Sequence, residues 1–379
     1  MSITYVKASC HCGLNAFQIP LLNSTLPQAA DMCHCDTCRH ITGQMFVHCA
    51  MIEGPPLAVD SGTTPETHKP ADLSKLTKYQ ASDKVIRYFC PKCSAYLLYD
   101  IRFTATPFWA VSSGAMERTE GLVKVGYHMF VGDTLDGGVA DHYLHLNGKE
   151  LPRYEGWEGS KQLSLGWKSD NLASLIAKGE DRLNAYCHCK AISIYLTRPK
   201  QEDAKDAAKW WLIPANEDDP NSKPRYVAGH CFCNSCRLTS GSLFVSHLIA
   251  PRANMFDAHT DLPIMLAIPK DGSTNPNRPK DLVQYPSSPG VFRESCGRCG
   301  ASVFFWSKKA EGGFFPVHEG DETAVLDVHM GLIDEQAGGA RSEGWVSFHE
   351  KIIHGEDAVD KATAEAVQAS IKPNQVSSS

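Results

Sequence analysis

No stretch of this sequence approaches the roughly 18–20 consecutive apolar residues that a membrane-crossing helix needs. The opening Met-Ser-Ile-Thr-Tyr-Val-Lys has no apolar signal core. Charge of one sign is also missing. The 37 Lys and Arg against 43 Asp and Glu leave a net charge of −6, too little to draw the chain to nucleic acid or to an anionic membrane. An intracellular, cytoplasmic protein is therefore expected, with neither of those as a partner. Cysteine, by contrast, is abundant. Fifteen cysteines in 379 residues would suit disulfides only in a small secreted domain. In a long chain without a signal core, metal binding is the better reading.

The cysteines form two groups, with none between Cys93 and Cys187. Each group opens with C-x-C, continues with C-x-C-x-x-C and ends with C-x-x-C. In the first these are Cys10/Cys12, Cys33/Cys35/Cys38 and Cys90/Cys93. In the second they are Cys187/Cys189, Cys231/Cys233/Cys236 and Cys296/Cys299. The segment Cys33-His-Cys-Asp-Thr-Cys-Arg-His-Ile-Thr-Gly43 aligns without a gap on Cys231-Phe-Cys-Asn-Ser-Cys-Arg-Leu-Thr-Ser-Gly241. This is the pattern of a duplication, with too few copies for a solenoid.

Residues i and i+2 of a strand share a face, so a C-x-C pair can present two thiolates to one ion. A C-x-x-C turn can do the same. Zinc takes four such ligands in a closed structural site, and three plus an open position in a catalytic one. Cys10, Cys12, Cys90 and Cys93 can form a closed set, and Cys187, Cys189, Cys296 and Cys299 its counterpart. Cys33/Cys35/Cys38 and Cys231/Cys233/Cys236 are left as open triads. Disulfides, plain buried thiols and a rubredoxin-like iron are the competing readings for the closed sets. For the triads the competitor is a fourth ligand from elsewhere. Cys49 and His247 occupy the same aligned position and are the candidates, although Cys49 also reads as a small buried hydrophobe.

The order C-x-C, C-x-C-x-x-C-R-x-x-[ST]-G, C-x-x-C resembles the glutathione-dependent formaldehyde-activating enzyme family, which also includes the centromere protein V-like proteins. The resemblance covers roughly residues 5–154 and 182–350. It implies a mainly β fold of two tandem Mss4-like zinc domains. It also implies a structural zinc on each four-cysteine set and an exchangeable, catalytic zinc on each triad, up to four zinc ions per chain. Glutathione or another thiol would be the co-substrate, joined to an aldehyde by a carbon–sulfur lyase reaction. The sequence departs from the pattern at Ser94, where the second group has Gly300, and at Lys190, where the first has Gly13. His128 aligns with Val346; with its shorter loops, Gly13 after the first motif and this histidine on its late strand, the first copy is the expected more active one.

The expected organisation is a first zinc domain over 5–154 and a linker with a short helix over 155–181. A second zinc domain follows over 182–350, then a tail over 351–379 that is disordered or, from about Gly355, a frayed helix. Strands are expected over Leu14–Ile19, Met45–Met51 and Tyr96–Tyr99, and over Ala191–Thr197, Leu243–Ile249 and Ser302–Trp306. Ser169–Lys178 is expected to be helical, stopped by Gly179. The leading function is a zinc-dependent lyase acting on a thiol adduct of an aldehyde. Arg39 and Arg237 are candidates to bind a carboxylate or the developing oxyanion, and their competing role is a structural contact to backbone carbonyls. No general base stands out, with His34, His40 and His48 merely near the first triad. The rival function is a non-catalytic, zinc-stabilised binding module.

Overall fold

Apolar residues alternating along short segments make this chain mainly β. In Ala16–Leu22, for example, Phe17, Ile19 and Leu21 are all buried, the period of two that turns one face of a strand inward. The computed structural model describes residues 2–178, 181–266, 268, 275–307 and 325–371.

The first half contains β1 (Ile3–Ser9), β2 (Ala16–Leu22), β3 (Gln28–Cys33), α1 (Asp36–Thr42), β4 (Val47–Ile52), β5 (Thr77–Ser82), β6 (Val85–Phe89), β7 (Tyr96–Ile101), β8 (Phe108–Ser112) and β9 (Val123–Met129). A small hairpin follows, β10 (His145–Leu146) and β11 (Lys149–Glu150), and then α2 (Leu172–Lys178). The second half contains β12 (Arg182–Tyr186), β13 (Ser193–Thr197), α3 (Gln201–Ala204), β14 (Leu212–Ile213), β15 (Arg225–Cys231), α4 (Asn234–Ser240), β16 (Val245–Pro251) and β17 (Met255–Asp257). It continues with β18 (Leu282–Ser288), β19 (Val291–Cys296), β20 (Ser302–Ser307), β21 (Val325–His329), β22 (Val346–Phe348) and α5 (Lys361–Ser370).

The main sheet of the first half runs β5-β6-β7-β8-β4-β3-β9, beside the β1-β2 hairpin. That of the second runs β18-β19-β20-β21-β16-β15, with β22 parallel to β15 on its outer edge and β14 paired to the first residues of β15 on its other side, beside β12-β13-β17. Strand for strand the order is the same. The register corrects one alignment. Val346 pairs with Tyr226, which corresponds to Gln28, and Gln28 pairs with Val123. His128 pairs with Met32, one residue before Cys33, whereas Cys231 bridges Ile353. Val346 is therefore not the counterpart of His128, and the contrast between them says nothing about which half is active.

The structure sharpens two further expectations. Of the two readings of the tail, a frayed helix or disorder, residues 361–370 take the helical one as α5. Asp360 caps it by accepting from the Thr363 N–H, and Ala364 and Val367 supply a buried face. Thr363 and Ser370 hydrogen-bond to Tyr143 and to the Leu144 N–H. The spaced small and apolar residues thus find a surface that composition alone did not reveal. α2 begins at Leu172 and not at Ser169, and within it Leu172 is buried while Ile176 is exposed. Gly179 lies outside the described residues.

The halves meet about an approximate two-fold, with paired contacts of the isologous kind. The His11 N–H donates to Leu238 O, and the His188 N–H to His40 O. Gly114 N–H donates to Gly241 O, and Gly331 N–H to Gly43 O. Phe46 and Phe244, eight residues past each triad, meet with ring centroids 4.7 Å apart. Gly43 and Gly241 end α1 and α4 with φ of +74° and +79°. A Cβ on either would collide with backbone of the opposite half, at Ser302 and Tyr96 respectively. The left-handed conformation alone costs an L-residue about 1–2 kcal/mol, and the collision adds to that. Gly43→Ala or Gly241→Ala should therefore lower stability by more than about 2 kcal/mol in urea unfolding. A shift under about 0.5 kcal/mol would mean that the junction yields easily.

Candidate metal centres

The three short motifs of each half converge because the sheet brings them together. Cys10 and Cys12 leave β1 at the turn into β2, and Cys90 and Cys93 form the turn between β6 and β7. The four sulfurs of Cys10, Cys12, Cys90 and Cys93 lie within 4.8 Å of one another, as do those of Cys187, Cys189, Cys296 and Cys299. Cys12 Sγ is 3.5 Å from both Cys10 Sγ and Cys90 Sγ. Cys189 Sγ is 3.5 Å from Cys187 Sγ and 3.6 Å from Cys296 Sγ. A disulfide needs about 2.05 Å, and no cysteine is in one. A zinc tetrahedron with bonds near 2.3 Å has edges of about 3.8 Å. Both clusters therefore fit a four-thiolate zinc. Backbone N–H groups of Asn15 and Ile192 point at Cys10 and Cys187 Sγ, each at 3.4 Å, as suits sulfur carrying negative charge.

The turn geometry explains the two sequence departures. Gly13 and Lys190 both have left-handed backbones, φ +72° and +57°, and so do Ser94 and Gly300, at +59° and +77°. Ser94 and Lys190 occupy these positions at some cost in strain without altering the cluster.

The triads are built differently. Cys33 and Cys231 end β3 and β15, Cys35 and Cys233 are the N-caps of α1 and α4, and Cys38 and Cys236 lie in the first turn of those helices. Each set of three sulfurs lies within 4.8 Å. Neither Cys49 nor His247 has a ligand atom that close to all three. Among the described residues, then, both triads are three-cysteine groups without a fourth ligand of the Cys, His, Asp or Glu type at that range.

Arg39 and Arg237 do not face these groups as substrate-binding cations. Arg39 is fully buried. Its Nε donates to His34 O at 3.2 Å, and its Nη2 to Asp36 at 2.6 Å and to Glu335 of the other half at 2.9 Å. Burial pushes the Glu335 carboxyl up, but the His40 hydrogen bond and the Arg39 charge outweigh it and hold the group at about 2. Arg237 donates to Gly114 O and Met116 O, at 2.6 and 2.9 Å. Both side chains fasten one half to the other, the role in which a guanidinium fork meets fixed acceptors.

A different arginine serves each triad. Arg87 Nη2 lies 3.1 Å from Cys38 Sγ, and Arg293 Nη1 and Nη2 lie 3.6 Å from Cys236 Sγ. Both arginines are buried. Sequence reading missed them, although a signal exists: each stands three residues before the last C-x-x-C, in Arg87-Tyr-Phe-Cys90 and Arg293-Glu-Ser-Cys296. A partner that orients and neutralises a metal-binding thiolate commonly sets affinity by about 10–100-fold. Arg293→Met should therefore speed zinc loss from the second triad by that factor in chelator competition, and leave the closed clusters unchanged. Equal loss rates would remove Arg293 from the metal centre.

Of the histidines near the first triad, His34 and His40 are committed elsewhere, and His48 is buried with neither ring nitrogen hydrogen-bonded among the described residues. His34 Nε2 is 2.9 Å from His128 Nδ1, and His128 Nε2 is 2.8 Å from Tyr143 O. A carbonyl only accepts, so His128 donates through Nε2 and receives the His34 proton at Nδ1. Burial pushes His128 down to about 4, and His48 likewise to about 4, so both are neutral. His40 is hydrogen-bonded to Tyr186 O at 2.8 Å and stacked on the Tyr186 ring.

Above the second triad lies a cavity of about 460 Å³, lined by all three cysteines, Arg293, His247 and Asp327. Trp210, in the segment between α3 and β14, stands at its wall. No helix among the described residues is long and apolar enough to cross a membrane. Residues 5–133 match the family model of the glutathione-dependent formaldehyde-activating enzyme, a span that includes both cysteine clusters of the first half and Arg87. No curated protein matches the sequence.

Proposed function

We propose that this chain is a zinc-dependent carbon–sulfur lyase that makes or breaks the bond between a thiol sulfur and an aldehyde carbon. In this reading it is built from two copies of one domain, over 5–154 and 182–350. The observation that carries the reading is the recurrence, in each half, of a closed four-sulfur cluster beside an open three-sulfur cluster held by a buried arginine. The match of residues 5–133 to a glutathione-dependent enzyme family supports the same chemistry. The closed sets would hold structural zinc and the triads exchangeable zinc, four ions in all.

A zinc bound by three thiolates supplies an open position at which an incoming thiol loses its proton. The chain's own residues do the remaining work. Arg87 and Arg293 offset charge on Cys38 and Cys236. The walls of the second cavity shield the reacting sulfur from water, which strengthens polar contacts within it. Glutathione or another thiol and an aldehyde are the partners in this reading, in a reducing cytoplasm where free thiols persist.

The test is turnover of glutathione with formaldehyde, and of larger thiol–aldehyde pairs, by exchange NMR on the zinc-loaded chain. The same chain is then stripped by a chelator and reloaded. Turnover should vanish and return with the metal. A fully loaded chain that leaves every pair at its uncatalysed rate would favour the binding-module reading.

A further inference from the structure

The halves share their cysteines, their triad arginines and their sheet order, so a difference beside the triads is informative. Strand register supplies the comparison. In the first half Cys49 lies opposite Ser112 and Met51 opposite Ala110. In the second, His247 lies opposite His329 and Ile249 opposite Asp327. The second half therefore has a histidine and a carboxylate where the first has a cysteine and an alanine.

These two residues form a pair. His247 Nδ1 is 3.3 Å from Asp327 Oδ2, both side chains are buried, and both line the cavity that holds the second triad. At this distance the carboxylate favours a proton on Nδ1, the ring nitrogen facing it, which leaves the lone pair on Nε2. That Nε2 is buried without a protein partner, and so is Asp327 Oδ1. The other buried histidines of this sheet are engaged: His230 is 2.8 Å from Ser246 Oγ and 3.0 Å from His142, and His329 Nδ1 is 3.1 Å from Gln44 Nε2. A buried polar atom left unsatisfied calls for an explanation. Here the explanation is a substrate hydroxyl. Around the pair the cavity is apolar, with Trp210, Ile249, Phe305 and Ile353 in its walls. The Phe305 ring lies parallel to His247, within 8°, and 5.1 Å from the Arg293 guanidinium. Arg293 is the only Lys or Arg among the described lining residues, and it is turned to Cys236. Glutathione has two carboxylates, and the described lining residues offer them no second Lys or Arg; His349 and His354, also in the lining, are turned to the Lys351 carbonyl and to Glu356.

We infer that His247 and Asp327 are the proton-carrying pair of the second open site. We further infer that this site takes hemithioacetals with apolar, aromatic-bearing substituents in preference to the glutathione–formaldehyde adduct. The inference rests on the lyase reading above and assigns the chemistry to the second half. In the forward direction the thiol sulfur attacks the aldehyde carbon. The C–S bond forms as the C=O π bond opens, and the proton given up by the thiol passes through His247 Nε2 to the new alkoxide oxygen. In reverse, Nε2 takes the hydroxyl proton, C=O re-forms, the C–S bond breaks and the sulfur leaves as a thiolate. No oxidant or reductant is required. His247 is the catalytic residue. Asp327 is a positioning residue that fixes the ring tautomer.

The experiment uses the full zinc-loaded chain carrying Cys35→Ser, so that only the second triad is complete. Exchange NMR follows phenylmethanethiol with benzaldehyde, and glutathione with formaldehyde. The aromatic pair should have the higher kcat/KM, by at least about tenfold. His247→Gln should lower kcat about a hundredfold or more, with KM, zinc per chain and calorimetric binding of phenylmethanethiol unchanged. Asp327→Asn should lower kcat by about tenfold at constant KM, and Asp327→Glu should recover part of it. Should His247→Gln not fold, His247→Asn carries the same test. Loss of one zinc with His247→Gln would make the residue a ligand and overturn the assignment, as would unchanged kcat. A preference for the glutathione pair would overturn the substrate class. A parent chain that turns over no pair overturns the lyase reading and this assignment together. Turnover that survives His247→Gln overturns this assignment alone.

Discussion

Replacing Cys299 with serine should remove one zinc from the chain and unfold much of its second half. Cys299 shares its cluster with Cys187 and Cys189, which open the half, and with Cys296. A metal held by these four sulfurs would join the start of the half to its late strands, across more than a hundred residues. A bound ion of this kind restricts the unfolded chain as a cross-link does and adds its binding energy to folding. Structural zinc sites in small peptides contribute about 10–16 kcal/mol, while whole domains are stable by about 5–15 kcal/mol. Losing one ligand of four is therefore comparable with the entire stability of the half. The damage should spread, because the Tyr96 hydroxyl of the first half donates to Cys299 O. Cys93→Ser should act likewise on the first half. Cys49→Ser, outside every cluster, should change stability by less than about 1 kcal/mol. Zinc per chain and thermal midpoints decide the matter. A Cys299→Ser chain that keeps its zinc and melts with the parent would show that the four sulfurs do not form one site.

What the sequence made legible was whatever depends on spacing. The C-x-C and C-x-x-C motifs are local, and their ligands converge as the spacing predicted because each motif sits at a strand end or tight turn. The strands after each motif were legible from apolar alternation. Contacts between sequence-distant residues were less so. Arg39 follows a triad directly, yet its guanidinium goes to Glu335, almost three hundred residues away. Arg87 precedes a different motif, yet it reaches Cys38. Only the strand order determines which arginine meets which sulfur. His247 was visible as a candidate ligand, but its partner Asp327 lies on β21, a strand placed by pairing and not by proximity in the chain. Short parallel edge strands were hardest. The motif around His128 was matched to Val346 by resemblance of residues, while the register depends on pairing with β3 and β15.

Cys35→Ser together with Cys233→Ser should abolish turnover while the fold persists. Cys35 and Cys233 are the N-caps of α1 and α4, where their sulfurs accept the N–H of Cys38 and Cys236 at 3.4 and 3.3 Å. Serine is among the best N-cap residues, so each substitution preserves the helix start and removes only a thiolate. The closed clusters, the interface glycines and Arg39 with Glu335 are untouched, so stability should fall by no more than about 1–2 kcal/mol. Zinc should drop from four toward two per chain, because two sulfurs without a third hold the ion poorly. Thiol binding should fall with it, since a zinc held by the triad would supply the open position at which a thiol ionises. The single variants should be unequal. The cavity, Trp210 and the His247–Asp327 pair all belong to the second half, so Cys233→Ser should remove most of the activity and Cys35→Ser little of it. The measurements are turnover by exchange NMR, calorimetric thiol binding and zinc per chain, on both singles and the double. Greater loss in Cys35→Ser would return the chemistry to the first half. Full turnover in the double variant would remove both triads from the reaction and leave the chain a zinc-stabilised binding protein.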